Sequence, residues 1–269
     1  MKDLVLLTSI LEQVKQIAIN VGEYIRLEAA TFQPTSIQAK GLHDLVSYVD
    51  KTAENRIVES LDKVLQGASY INEEGGQIKR SAEFTWIIDP LDGTTNFIHR
   101  IPHYCISIAL MQNDYLVMGV VYDVGSNELF SAIRGKGSFL NNKPIQTSHA
   151  KSLTESLVAT GFSVNNFAQM QPTLLVLEKI IRQTRGVRRI GTAALDLSYV
   201  ACGRFDAYYE FGLHAWDVAA GALIVEEAGG VLSDFSGHKD YLFGSEIIAA
   251  APSVYKEFQS IINSTFFSK

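Results

Sequence analysis

Residues 86–95 read WIIDPLDGTT, an apolar segment that runs directly into two aspartates. The apolar part predicts a short buried strand with Asp89 at its end. Pro90 and Gly93 favour a turn after that strand, so that Asp92 can fold back beside Asp89. The stretch therefore predicts a sheet that carries a functional site at the end of one of its strands.

The two aspartates predict a cation site. Two carboxylates held this close repel each other strongly unless a cation lies between them, and hard oxygen ligands select magnesium, calcium or manganese. Gly93, Thr94 and Thr95 read as the start of a short helix, whose free backbone N–H groups can hold an anion. A cation site and an anion site on one turn suit phosphate ester chemistry. The alternative is that Asp89 and Asp92 only form the turn and a threonine caps the helix.

Two further acidic positions point to the same place. Glu73 and Glu74 follow an apolar segment over 68–72, and Asp217 follows Trp216 at the start of an apolar helix. Taken alone, the glutamates are typical of a solvated turn and Asp217 is typical of a helix N-cap. Together with the aspartate pair, they predict one acidic constellation.

The hydrophobic pattern predicts a layered α/β architecture. Helices are predicted over 4–25, 52–65, 170–182, 191–201, 216–228 and 252–266. Strands are predicted over 68–72, 85–89, 105–111, 115–122, 128–134, 137–140, 156–160, 205–211 and 246–250. The first half, 1–145, reads as helices with an antiparallel sheet and carries most of the acidic residues. The second half, 146–269, alternates strands and helices and supplies Asp217, and the two halves are expected to form one compact unit.

Bulk composition limits the partners. The chain has 269 residues, 47% of them hydrophobic, and a formal net charge of −6. So acidic a chain has no general attraction for nucleic acid or anionic lipid, so we expect no nucleic acid by direct contact and no membrane. A phosphorylated substrate has to be met by a local positive source, for which a bound metal is the obvious candidate. Cys105 and Cys202 are isolated thiols that fit a reducing cytoplasm. No apolar window is long enough to span a bilayer, and the N-terminus lacks a signal-peptide pattern.

These motifs resemble those of the inositol monophosphatase family, within the superfamily of lithium-sensitive magnesium phosphatases that includes fructose bisphosphatases. The resemblance covers nearly the whole chain and is carried by residues 72–75, 86–97, 216–221 and 226–230. It implies a five-layer αβαβα sandwich, a homodimer, and hydrolysis of myo-inositol monophosphate or a similar polyol phosphate by in-line attack of a metal-activated water. Alternative substrates are sugar, histidinol or nucleotide 3′-phosphates. A bacterial-type member with a second role in a transcription complex is a further alternative.

The resemblance also implies a set of metal ligands for two or three magnesium ions. Glu73, Asp89 and the backbone carbonyl of Leu91 match the first magnesium site. Asp89, Asp92 and Asp217 match the second, and Glu73 helps to hold a weaker third.

The same resemblance implies catalytic and substrate contacts. Thr94 and Glu73 match positions that hydrogen-bond the attacking water, and with Asp92 they form the expected catalytic set. Glu210, Asp92 and the backbone of Ala193 match positions that hold polyol hydroxyls. The full expected substrate set is Asp92, Gly93, Thr94, Ala193, Glu210 and Asp217.

Some positions are left open or depart from the family pattern. Asp44 and Asp50 match acidic positions near the site, but loop charges and helix caps explain them equally well. Lys40, Arg188 and Arg189 could meet a phosphate or a dimer partner. Phe162 stands where animal-type members carry a serine that touches inositol, so the resemblance implies phosphatase chemistry without strict inositol specificity.

Overall fold

The computed structural model describes residues 2–32, 38–39, 45–75, 83–162 and 167–267. The helices are α1 (Lys2–Thr31), α2 (Tyr48–Val64), α3 (Thr94–Ile98), α4 (Met170–Gln183), α5 (Ala193–Ala201), α6 (Ala215–Glu227) and α7 (Pro252–Phe266). The strands are β1 (Gln38–Ala39), β2 (Leu45–Val46), β3 (Ser69–Asn72), β4 (Phe84–Asp92), β5 (Cys105–Gln112), β6 (Tyr115–Asp123), β7 (Glu128–Ile133), β8 (Ser138–Leu140), β9 (Lys143–Ile145), β10 (Leu157–Thr160), β11 (Gly186–Arg188), β12 (Ala207–Phe211), β13 (Val231–Ser233) and β14 (Glu246–Ala250).

Two large sheets organise these strands. The first has seven strands in the order β3-β4-β5-β6-β7-β8-β9, parallel between β3 and β4 and antiparallel elsewhere. The second has five strands in the order β11-β10-β12-β14-β13, with β10 parallel to both of its neighbours and β14 antiparallel to its own. Strands β1 and β2 form a separate antiparallel pair.

Helices cover the sheets in three layers, so that the order is αβαβα. Helices α1 and α2 pack on the outer face of the seven-stranded sheet, α5 and α6 lie between the sheets, and α4 and α7 cover the five-stranded sheet. Successive side chains of a strand point to opposite faces of the sheet, so alternate residues of one strand join different hydrophobic cores. In β4, Trp86 and Ile88 join the outer core while Ile87 joins the middle one. The layered fold expected from the sequence is confirmed.

Most predicted elements are confirmed, with shifted ends. The strand predicted over 85–89 continues to Asp92, because a β-bulge lets the backbone stay paired with β5 through the aspartate pair. The sequence missed β9, β11 and β13, each only three residues long and too short to show a period. Lys40 and Asp44 lie outside the described residues.

The chain passes from one sheet to the other after β9. The seven-stranded sheet ends at Ile145, and the Thr147 N–H donates to the Ala228 carbonyl at the end of α6. We propose the division into 1–145 and 146–269, with α5 and α6 joining the halves into one unit. Among the described residues, no helix combines the length and apolar character needed to cross a bilayer.

Candidate active site

The bulge in β4 sets the position of both aspartates. Asp89 pairs with Ser107 and Asp92 with Cys105, so three residues of β4 advance against two of β5. Pro90 has no N–H to donate, and bulges tolerate such a residue. The Leu91 N–H, displaced from the ladder, donates to Asp89 Oδ1 over 3.0 Å. The two carboxylates are thereby turned toward one region.

Burial and mutual repulsion dominate the electrostatics of the pair. Burial first, and then Glu73, Asp92 and Asp217, raise the pKa of Asp89 well above its usual range. Burial and Asp217 likewise raise the pKa of Asp92, against the Ala194 N–H that donates to Asp92 Oδ2 over 2.8 Å. Within the described residues, neither aspartate pairs with a lysine or arginine. The region is thus rich in acidic groups, and no lysine or arginine of the described residues pairs with the two aspartates at its centre.

Thr94 connects this region to helix α2. Its hydroxyl lies 2.9 Å from Asp50 Oδ1 and 3.0 Å from the Leu91 carbonyl oxygen, so it can donate to either. Asp50 is 1% exposed, and its other oxygen accepts from the Ser47 N–H and hydroxyl in a capping box at the start of α2. Asp50 is therefore a helix cap and also a site neighbour, which joins the two interpretations left open by the sequence.

Glu73 lies in the turn that follows β3. Its N–H donates to the Ile88 carbonyl, which holds the turn against β4. The next residue, Glu74, donates its N–H to Glu54 Oε2 over 2.9 Å, so a buried glutamate of α2 secures the same turn. The turn interpretation is correct for the backbone. The side chain of Glu73 still contributes to the raised pKa of Asp89.

Asp217 enters from the other half of the chain. It is the third residue of α6, and its Oδ2 accepts from the His214 N–H over 2.6 Å in a capping box. The imidazole of His214 stacks on Trp216, with ring centroids 4.6 Å apart. Asp217 thus caps α6 from inside the helix, and its carboxylate is among the groups that raise the pKa of both β4 aspartates.

Helix α5 and strand β12 supply the positions expected to hold a polyol. Ala193 is the first residue of α5, and the Ala194 N–H beside it bonds Asp92. Glu210 lies near the end of β12, with its carboxylate against the backbone of Gly161 and accepting from the Tyr208 hydroxyl over 2.6 Å. Burial raises the pKa of Glu210 to about 7, although the Tyr208 hydrogen bond and the charge of Arg189 lower it. Phe162, next to Gly161, lines a small aromatic cavity with Tyr209 and Phe235.

The sequence-predicted residues thus converge from both sheets. Glu73, Asp89, Asp92 and Asp217 interact electrostatically, and Glu210 acts on Asp92. Within the described residues, however, no three acidic, histidine or cysteine side chains are close enough to hold a metal as they stand. A bound cation would have to draw the carboxylates together.

Comparison with known proteins decides the family. The sequence profile of the inositol monophosphatase family matches residues 6–266. The chain belongs to this family. The Nus factor SuhB of Pseudomonas aeruginosa is 43% identical over 242 residues, which cover 88% of this chain and 89% of that protein.

Two solved structures share the inositol monophosphatase fold of the chain. The extragenic suppressor protein SuhB of Bartonella henselae superposes with a TM-score of 0.90 at 35% identity, covering 94% of this chain and 98% of that one. The inositol monophosphatase of Anabaena superposes with a TM-score of 0.85 at 32% identity, covering 95% and 96%. Family membership supports phosphatase activity.

The relatives also correct one expectation. The acidic net charge led us to expect no nucleic acid by direct contact, and the name Nus factor of close relatives contradicts that expectation. The physical reason is that net charge averages over the surface, whereas recognition depends on local patches.

Sequence analysis missed a further buried acid near the site. Asp196 lies on α5 within an otherwise largely apolar helix, and burial, then Glu210 and Asp92, raise its pKa. A charged residue within that apolar run is the signal that could have found it.

Proposed function

We propose that this protein is a magnesium-dependent phosphomonoesterase that hydrolyses myo-inositol monophosphate or a similar small polyol phosphate. The observation that carries the proposal is the convergence of Asp89, Asp92 and Asp217, whose charges act on one another where no lysine or arginine of the described residues pairs with Asp89 or Asp92. Such carboxylates need a counter-charge, and their hard oxygens suit magnesium.

The residues fit the cation that the family implies. Glu73, Asp89, Asp217 and Asp92 would hold it, together with the Leu91 carbonyl. When bound, magnesium supplies charge neutralisation for a phosphoryl group and lowers the pKa of water. The Thr94 hydroxyl is oriented by protein groups, because the Asp50 carboxylate and the Leu91 carbonyl both lie within hydrogen-bond distance of it.

The protein groups divide the remaining work. Thr94 and Glu73 would orient the attacking water. Asp50 would accept a hydrogen bond from the Thr94 hydroxyl, so that a lone pair of that hydroxyl faces the water. The start of α3 would hold the phosphate through the N–H groups of Gly93 and Thr94. Glu210 and the backbone of Ala193 would hold polyol hydroxyls. Positioning and charge neutralisation account for most catalysis of phosphoryl transfer.

A panel of phosphate monoesters, assayed with and without magnesium, tests this proposal. We expect turnover of inositol monophosphate only with magnesium, and loss of that turnover in Asp92→Asn and Asp217→Asn, which keep the side-chain shape but remove the charge. Asp114→Asn, in the turn between β5 and β6, is the matched control. Activity near that of the wild type in either site variant at saturating magnesium would refute the ligand assignment.

A second role in transcription is the other candidate, favoured by the 43% identity to a protein named Nus factor. We propose that this role is independent of hydrolysis. A purified transcription reaction, supplemented with the wild type or with Asp92→Asn, tests it. Equal effects of both proteins support the second role, and no effect of either protein contradicts it.

A further inference from the structure

Asp196 is a buried acid on the helix between the two sheets. It is 1% exposed on α5, and neither of its carboxyl oxygens has a hydrogen-bond partner among the described residues. The other buried polar side chain in the body of the helix, Ser198, is satisfied because its hydroxyl donates to the Ala194 carbonyl. A buried carboxyl group without a partner is unfavourable, and no side chain of the described residues supplies that partner, so a bound water or ligand is the candidate.

Its surroundings place it under the polyol side of the site. Burial, then Glu210 and Asp92, raise the pKa of Asp196, while the charge of Arg189 lowers it. The pKa of the Tyr208 hydroxyl is raised by burial, then by Glu210 and Asp196. Asp196 therefore lies among the groups that the proposed function assigns to the substrate hydroxyls.

A second buried group without a partner among the described residues lies at the start of the same helix. Thr192 is the N-cap of α5, with an extended backbone, and its carbonyl accepts from the Asp196 N–H over 3.0 Å. The Thr192 hydroxyl is buried and has no partner among the described residues, while the Thr192 methyl group is turned toward Gly93. Two buried polar groups in residues four apart, both without a partner among the described residues, suit an ordered water, which needs two to four polar partners.

We propose that Asp196 is a positioning residue for polyol recognition: with Thr192 it holds a buried water that hydrogen-bonds Glu210 or a hydroxyl of the bound polyol. This inference rests on the proposed function and deepens it. Water-mediated hydrogen bonds are nearly as favourable as direct ones, so the water can bind a substrate hydroxyl that no side chain reaches. A substrate without neighbouring hydroxyls gains nothing from it.

Substrate discrimination tests this role. We compare kcat and KM for myo-inositol 1-phosphate and 4-nitrophenyl phosphate in Asp196→Leu, Asp196→Asn and Ser198→Ala. Asp196→Leu should raise KM for the inositol ester about tenfold, the equivalent of one hydrogen bond, and change KM for the aryl ester much less. Asp196→Asn keeps polar atoms and should recover part of the loss, and Ser198→Ala, on the same helix and equally buried, should leave the ratio unchanged.

The outcomes separate the inference from the proposed function. Equal effects on both substrates, or none, overturn the positioning role while leaving the phosphatase intact. If the wild type hydrolyses no monoester, the proposed function fails, and calorimetric titration with myo-inositol and magnesium decides the inference without turnover. Weaker binding by Asp196→Leu than by the wild type supports it, whereas equal or absent binding overturns it.

A crystal structure provides a check on the water itself. Ordered density within hydrogen-bond distance of both the Asp196 carboxyl and the Thr192 hydroxyl supports the proposal. A dry contact between the two side chains overturns it.

Discussion

Thr94 has one hydroxyl proton and two acceptors within 3.0 Å, Asp50 Oδ1 and the Leu91 carbonyl. Donation to Asp50 leaves the threonine lone pairs to accept from a water. We expect Thr94→Ala to lower kcat about 10²- to 10⁴-fold, the usual range for general-base and positioning effects, with a smaller change in KM. Steady-state kinetics with inositol monophosphate measure both constants.

A double-mutant cycle tests whether Thr94 and Asp50 act as a unit. If they do, adding Asp50→Asn to Thr94→Ala should cost little more than either change alone. Ser47→Ala is the control, since it removes one donor to Asp50 Oδ2 and should lower stability by about 1 kcal/mol without a comparable loss of kcat. Additive losses in the double variant would mean that Asp50 and Thr94 act independently, and an unchanged kcat in Asp50→Asn alone would mean that Asp50 supports α2 and not the reaction.

The raised pKa of Glu210 predicts that the stability of the fold depends on pH. Its folded pKa of about 7 exceeds the usual 4.5, mainly because of burial, so the folded protein binds a proton that the unfolded chain releases. That contribution to stability is fully present below pH 4.5 and is lost as the pH rises toward 7. The upper limit is about 3 kcal/mol, and the true value is smaller because the side chain is partly exposed.

Glu210→Gln should therefore flatten the pH profile. The variant resembles the protonated wild type, so the two should melt alike near pH 4.5 in the presence of a chelator. Above pH 7 the variant should be the more stable of the two. Thermal unfolding followed by circular dichroism across this range measures the difference, and parallel curves would contradict the assigned pKa.

At the scale of elements, the sequence predicts those site residues that are neighbours along the chain. It does not predict those that only the fold brings together. Strand β4, its acidic pair and the start of α3 are contiguous, and their pattern identified them. The contact of Thr94 with Asp50 joins residues 44 apart, and that of Asp92 with Ala194 joins residues 102 apart. No periodicity encodes such pairs, so Asp50 stayed ambiguous and Asp196 was missed.

The junction of α3 with the approach to α5 depends on Gly93. Its φ is +95°, and a Cβ there would lie 2.4 Å from the Thr192 methyl carbon. Gly93→Ala combines backbone strain with a steric clash, and we expect a loss of about 2–4 kcal/mol in the free energy of unfolding. Turnover should also fall, since the clash displaces the turn that carries Asp92.

Gly135→Ala separates the two causes. Gly135 has a φ of +76° but open space around its Cα, so alanine there brings only the backbone strain, about 1 kcal/mol. Thr192→Ser, which deletes the methyl group with the closest contact, should recover most of the steric part of the Gly93→Ala loss, and the contacts with the His103 carbonyl at 3.1 Å and Tyr104 Cβ at 3.2 Å remain. Chemical denaturation gives the free energies, and equal losses at the two glycines would exclude the clash as a cause.

At the scale of the whole molecule, the layered cores explain why both halves of the chain contribute residues to the site. Alternate residues of β4 and β5 serve the outer and middle cores, and the middle core also packs α5 and α6 against both sheets. The start of α5, the start of α6 and the end of β4 thus meet at one edge. The alternating pattern of each strand predicts layers, whereas the meeting of these three ends depends on the packing between them.

We expect the proposed magnesium site to couple cation binding to the stability of the whole fold. Folding brings Asp89 and Asp92 into a desolvated acidic region and raises the pKa of both, so without a cation their charge costs stability as the pH rises. A cation that binds only the folded state stabilises it by about 2.7 kcal/mol at 100 times its Kd, enough to raise Tm by roughly 5–10 °C in a chain of this size. Because protons compete for the same oxygens, that gain should shrink as the pH falls.

Asp92→Asn should raise the melting temperature without magnesium and reduce the gain in melting temperature that magnesium brings. It removes one of the repelling charges, so in a chelator at pH 8 the variant should melt at a higher temperature than the wild type, yet gain little from magnesium. The wild type should overtake it as magnesium is added, and Asp114→Asn should follow the wild type throughout. Differential scanning calorimetry over a magnesium titration at pH 6 and pH 8 measures the crossing. If magnesium raises Tm equally in the wild type and in Asp92→Asn, the cation is held elsewhere on the protein.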